Sequence, residues 1–192
     1  MSVSTCCRWA ALLGVVLLGV VARGAPARAD APPRGPERKG FTLQLELSGG
    51  GSTLFARGDG RDETEAGLGF NLGLGGFLTP RIALLGRIAT FNWGITTAGY
   101  DEGASVLMGP ALQWWMHDRF YVEGGVGVAV TSIAPLGEET DDKGGMGFSL
   151  GVGYSAVNLW HHAFGLFAQL TPSFTGHGTT LTYQSGFFWQ YF

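Results

Sequence analysis

From residue 41 onward, hydrophobic and polar side chains alternate one by one. "FTLQLELSG" sets Phe41, Leu43, Leu45 and Leu47 on one face and Thr42, Gln44, Glu46 and Ser48 on the other, the period of two expected of a strand with one apolar side. "GLGFNLGLGGFL" repeats it, with Leu68, Phe70, Leu72 and Leu74 opposite Gly69, Asn71, Gly73 and Gly75. "MGFSLGVGYSA" sets Met146, Phe148, Leu150, Val152 and Tyr154 against Gly147, Ser149, Gly151, Gly153 and Ser155. "LTYQSGFFWQY" sets Leu181, Tyr183, Phe187, Trp189 and Tyr191 against Thr182, Gln184, Gly186 and Gln190.

Four more segments, Ile82 to Asn92, Ser105 to Met116, Phe120 to Val130 and Ala163 to Ser173, follow the pattern less cleanly. Pro110 interrupts the second of them, and Pro removes a ladder donor. Together these predict eight strands of about ten residues, the length a tilted strand needs to cross a bilayer. The connections alternate. Three are short, at Pro80–Arg81, at Asp118–Arg119 and within Asn158 to His162; three are long, polar and acidic, at Gly51 to Ala66, Trp93 to Gly103 and Thr131 to Gly145, and Thr175 to Gly178 joins the same end. Short turns at one end and long loops at the other predict an all-β, eight-stranded antiparallel up-and-down meander.

Residues 1–29 read as a signal peptide. Arg8 precedes the apolar run Ala10 to Ala22, and Ala27-Arg28-Ala29 offers small residues for cleavage before Asp30. The run is too short for a spanning helix, which needs about 20 residues. Cys6 and Cys7, the two cysteines of the chain, would leave with it, and with them thiolate catalysis and disulfides. "DAPPRGPERKG", residues 30–40, is expected to be a periplasmic tether outside any core, with the barrel at 41–192.

Charge and composition decide what surrounds the strands. Loss of Arg8, Arg23 and Arg28 leaves nine bases against fifteen acids, a net charge of −6, which excludes nucleic acid as a partner because that needs a basic patch. Only 14% of residues are charged and 33 are Gly, whereas a soluble barrel shows water a surface about a quarter to a third charged. The strand interiors carry only Glu46, Arg87 and Glu123. The polar face is otherwise Gly, Ser, Thr, Asn and Gln, suited to a crowded lumen, and the apolar face is suited to lipid. Aromatics gather near strand ends, Phe77, Trp114, Phe120, Trp160 and Trp189 by the short turns and Phe91, Trp93 and Phe174 by the long loops, as two girdles would. A transmembrane β-barrel pairs every backbone group within itself.

The chain resembles the small eight-stranded outer-membrane barrels of Gram-negative bacteria, such as the OmpA membrane domain, OmpX and OmpW. The resemblance covers Phe41 to Phe192 and is sharpest at the end, where Gln184, Gly186, Trp189 and Tyr191 fit that superfamily's C-terminal assembly signal and Phe192 adds the terminal Phe common there. It implies a monomer in the cell outer membrane, short turns in the periplasm, lipid and lipopolysaccharide around the wall, and recognition of the tail by the barrel-assembly machinery. The tail aromatics are then expected to face the membrane.

Candidate chemistry is sparse. An Arg facing lipid at mid-membrane costs roughly 2–4 kcal/mol, so Arg87 is expected to turn inward, take Leu85 and Phe91 with it, and bridge Glu46 and Glu123. Gln113 and Trp115 are expected to share the lumen with it. His177 lies at the loop end with Ser173 and Ser185 possible neighbours, but no spacing suggests a triad, so no catalysis is expected. "EETDDKGG", Glu138 to Gly145, lacks the spacing of a calcium loop, and neighbours such as His161 and His162 on a strand point to opposite faces. No metal or cofactor is expected. The reading is a structural or surface-exposed barrel; the alternative is a narrow conduit for ions or small apolar molecules, as proposed for OmpW-like barrels, and a lipid A-modifying enzyme ranks below both.

Overall fold

The computed structural model describes residues 38–56, 63–94, 102–134 and 141–192. The signal-peptide assignment and the loop charges Arg57, Asp59, Arg61, Asp62, Asp101, Glu138 and Glu139 lie outside the described residues. Eight strands, β1 (Gly40–Ala56), β2 (Glu63–Thr79), β3 (Ile82–Trp93), β4 (Glu102–His117), β5 (Phe120–Ala134), β6 (Asp141–Leu159), β7 (His162–Thr175) and β8 (Gly178–Tyr191), pair in chain order. β8 returns to β1 and closes an all-antiparallel barrel.

The alternation seen in the sequence sorts the two surfaces. Thr42, Gln44, Glu46, Ser48 and Asn71 are buried inside, while Leu47, Leu68, Leu150 and Phe187 stand exposed outside. The burial is thus inverted relative to a soluble protein, and the apolar exterior far exceeds the few hundred Å² a water-soluble monomer tolerates. Its natural solvent is hydrocarbon.

Following ladder partners round the barrel fixes the stagger. Leu45 pairs with Leu72, then Ile88, Met108, Val128, Met146, Phe174, Thr179 and finally Phe55, ten residues further along β1. Closing eight strands with such a shear requires them to tilt by roughly 35–45°. Both strand prolines are accommodated one-sidedly. Pro110 pairs with Gly86 of β3 while the β4–β5 register passes from Met108↔Val128 to Ala111↔Gly125. Pro172 pairs with Leu181 of β8 while β6–β7 passes from Gly147↔Ser173 to Leu150↔Leu170.

The strands run 12 to 19 residues, longer than expected. Gly51 to Leu54 and Asp141 to Gly145, read from the sequence as loop, continue the β1–β2 and β5–β6 ladders, and Phe55 and Ala56 continue the β1–β8 ladder. Backbone pairing is indifferent to hydropathy, so a hairpin can project past the membrane once polar residues pair across it. Thr53 and Thr64 do so, hydroxyl to hydroxyl at 2.9 Å.

Three placements differ from expectation. Phe91 and Trp93 are buried inside and stacked at 6.4 Å, so they are no part of an outer girdle; the parity that turns Arg87 inward takes both with it. Phe192 is likewise inside, edge-on to Phe77 at 6.0 Å and Trp115 at 6.2 Å, with Phe188 against Tyr121, while Phe187, Trp189 and Tyr191 point outward. Arg38, assigned to the tether, is buried, its guanidinium 3.9 Å above the Trp115 ring and hydrogen-bonded to the Asp118 carbonyl. A guanidinium over an indole face gains a cation–π contact. Burial lowers its pKa to about 10, and Arg81 adds to this while Asp118 opposes it.

Candidate functional site: the barrel lumen

Three layers fill the interior. At the short-turn end Trp115, Tyr121, Ala163, Phe167, Phe188 and Phe192 form one cluster with Phe77 against it, roofed from outside by Arg38. At the loop end Ala89, Leu107 and Ala129 pack together, beside the Phe91–Trp93 stack and hydroxyls such as Ser52 and Thr182, 3.2 Å apart.

Between them lies the polar layer that holds Glu46, Arg87 and Glu123. None of the three is a ladder partner of another: Glu46 pairs with Asn71, Arg87 with Gly73 and Gly109, Glu123 with Gln113 and Gly151. They meet across the lumen. Arg87 donates through Nη1 to Glu123 Oε1 and through Nη2 to Glu46 Oε2, and all three side chains are almost fully buried. Gly151 on β6 borders the cluster, where a Cβ would stand 3.9 Å from Glu123 Cβ and 4.0 Å from Gln169 Cβ.

The carboxylates are held by amides as well. Glu46 accepts from Gln44 Nε2 and Asn71 Nδ2, each at 2.7 Å, and Arg87 Nη2 also donates to Gln169 Oε1 at 2.6 Å. Gln44 Nε2 reaches the Tyr121 hydroxyl at 3.0 Å. Gln113 extends the network, donating to Gln44 Oε1 at 3.0 Å and accepting from Trp115 Nε1 at 2.9 Å and Gln190 Nε2 at 2.8 Å. Buried charge of this kind depends on the use of its lone pairs and protons. Two carboxylates share the Nη1 and Nη2 groups of one guanidinium and amide donors serve the carboxylates further, while the buried Arg87 Nε has no hydrogen-bond partner among the described residues. A cavity of about 10 Å³ beside Arg87, Pro110, Gly125 and Ser149 is room for one water at most.

Gln44, Asn71, Gln169, Gln190 and Tyr121 were not singled out by sequence reasoning. The available signal was parity: the first four are amides on the inward face of strands whose other face is apolar. Tyr121 carried no such mark.

The remaining candidates are scattered. Gln184 accepts from Ser48 Oγ at 2.8 Å inside the barrel, and Trp189 donates to His162 Nδ1 at 3.1 Å outside it. Gly186 faces the Leu47 carbonyl so closely that a Cβ there would lie 1.9 Å from the oxygen. The Tyr191 carbonyl accepts from Thr42 Oγ1 at 2.6 Å, and the Phe192 N–H donates to the His161 carbonyl at 2.8 Å. His177 Nε2 lies 3.0 Å from the Asp141 carbonyl, while Ser173 points into the barrel and Ser185 outward. Within "EETDDKGG", Lys143 donates to Asp141 at 2.7 Å. Among the described residues no group of three or more His, Cys, Asp or Glu is arranged to hold a metal ion.

A closed eight-stranded barrel with an apolar exterior and a packed, hydrogen-bonded interior is the fold seen in the small barrels of bacterial outer membranes. Solved structures of that class superpose on the chain. Ail, the attachment invasion locus protein of Yersinia pestis, matches at 13% identity and a TM-score of 0.61 over 80% of this chain and 99% of its own. Neisserial surface protein A matches at 12% and 0.54 over 79% and 97%. The N-terminal barrel domain of Pseudomonas aeruginosa OprF matches at 11% and 0.53 over 80% and 99%. At such identity what is shared is the fold. No family model and no curated protein sequence matches the chain.

Proposed function

We propose that the protein is an integral outer-membrane barrel with a structural or surface-exposed role, its lumen plugged and without catalysis. The observation that carries this reading is the Arg87 bridge, which ties β3 to β1 and β5 across the full width of the lumen between two hydrophobic layers. Eight strands enclose an interior just wide enough for side chains to fill, and here they fill it. Interaction is then left to the ends of the barrel, and at the loop end the three long connections carry Arg57, Arg61 and Lys143 against ten acids, a net −7 in sequence. The barrel sits as a monomer among lipid and lipopolysaccharide after delivery by the assembly machinery, which reads Gln184, Gly186, Trp189, Tyr191 and Phe192.

The test is conductance of the refolded mature chain in planar bilayers. The expected result is insertion without reproducible unitary steps. Steps of defined size at neutral pH would replace this reading with the conduit, and their loss on filling the lumen further, by Gly151→Leu, would locate the path.

A further inference from the structure

The three short turns share one construction. In each, the carbonyl of the second turn residue accepts a backbone N–H from the strand beyond its own hairpin: Arg81 from Trp115 at 2.7 Å, Arg119 from Ser155 at 2.7 Å and His161 from Phe192 at 2.8 Å. Each bond pins the turn against its neighbour and leaves the side chain of that residue exposed. The result is one basic or imidazole side chain per hairpin around the rim. Where the fourth hairpin would stand, the chain enters through Arg38 and exposed Lys39. The described side chains of this rim present the exposed bases Lys39, Arg81 and Arg119, while Arg38 is buried over Trp115 with Asp118 4.0 Å from its Nη1. Arg81 lies close enough to Arg38 for their charges to oppose.

Large apolar side chains flank this ring on the outer wall. Leu78, Trp114, Met116 and Leu159 are all exposed beside it. Trp160 is 90% exposed and holds φ +52°, a left-handed conformation unfavourable for a bulky residue and informative where it occurs. The strained turn leaves the indole exposed between Leu159, an exposed residue of the wall, and His161. Trp rings favour the headgroup level of a membrane.

We propose that the short-turn rim is a binding surface for anionic phospholipid headgroups of the adjoining leaflet, with Arg81 and Arg119 facing the phosphates and Trp160 anchoring at the interface. The inference rests on the barrel spanning a membrane and not on the lumen being closed. A soluble anionic polymer would meet the same charge but has no use for exposed Leu159 and Trp160 beside it. The opposite end is acidic, so preference for anionic lipid would come from this rim.

The test uses the full mature chain refolded in phosphatidylcholine vesicles with trace spin-labelled phosphatidylglycerol or spin-labelled phosphatidylcholine, reading the motionally restricted fraction. The expected result is a several-fold preference for the phosphatidylglycerol label at low salt, weakened at high salt and reduced to parity in the Arg81→Gln/Arg119→Gln variant. The Arg81→Lys/Arg119→Lys variant retains it. Because these turns bond through backbone carbonyls, all variants should keep heat-modifiable migration on gels, which separates a failed barrel from a failed lipid site. Equal restriction of both labels by the wild type, or a preference that survives in the Gln variant, overturns the proposal.

Discussion

Arg87 serves two carboxylates with two nitrogens of one planar group, a geometry a single ammonium cannot copy. Arg87→Met leaves Glu46 and Glu123 buried without their counter-ion, and removing one partner of a buried pair costs on the order of 3–5 kcal/mol. Urea unfolding in bilayers should show a loss of that order, with Arg87→Lys intermediate. Double-mutant cycles with Glu46→Gln and Glu123→Gln should both be non-additive; additive losses would mean the ion pairs carry no coupling. The inward facing of Glu46 was legible because every neighbour two residues away obeyed the same parity. Arg87 needed a further argument, the cost of a guanidinium in lipid, because its strand is apolar on both faces. Gln169 shared the parity signal and Tyr121 offered neither, and the reach of each to Arg87 or Gln44 depends on a strand far away in sequence.

At the scale of strands, β8 shows how closure constrains single positions. Gly186 sits opposite Ser48 of β1, and the Leu47 carbonyl occupies the space a Cβ would need. Gly186→Ala should therefore block β1–β8 pairing. Gly124→Ala is the control, since a Cβ at Gly124 meets nothing within 4 Å. The expected outcome is loss of the heat-modifiable gel form for the first and normal migration for the second. Equal migration would mean that β1 and β8 can separate locally without cost. The alternation that defined β8 was plain in sequence. Phe192, one residue past the strand, keeps the inward parity of Gln184, Gly186 and Gln190, and it was read with the membrane-facing tail because its aromatic ring was weighed above that parity. Loop boundaries failed for a different reason: composition marks where the bilayer ends, not where the ladder ends.

For the whole molecule, the first and last described residues meet in one place. Phe192 packs on Trp115 and Phe77 beneath Arg38, so the last residue is part of the floor as well as of the tail. Deleting Tyr191 and Phe192 should lower outer-membrane yield far more than deleting residues 30–37; equal yields would mean that neither the floor nor the tail signal matters. What the sequence by itself determined was the strand count, the lipid face of the cleanly alternating strands β1, β2, β6 and β8, the order of short and long connections, and hence the barrel fold. Those follow from local periodicity, since side chains on a strand point to alternate sides whatever its neighbours do. Which side chains meet inside was decided by the tertiary structure. A stagger of ten residues around the barrel sets the height at which each strand presents its inward groups, and that number is a property of closure, absent from any one strand. It fixes which nitrogen of Arg87 meets Glu46 and which meets Glu123, in a bridge the three strand charges already led the sequence reading to expect, and it seats Arg38 on Trp115, a contact that no spacing along the chain encodes.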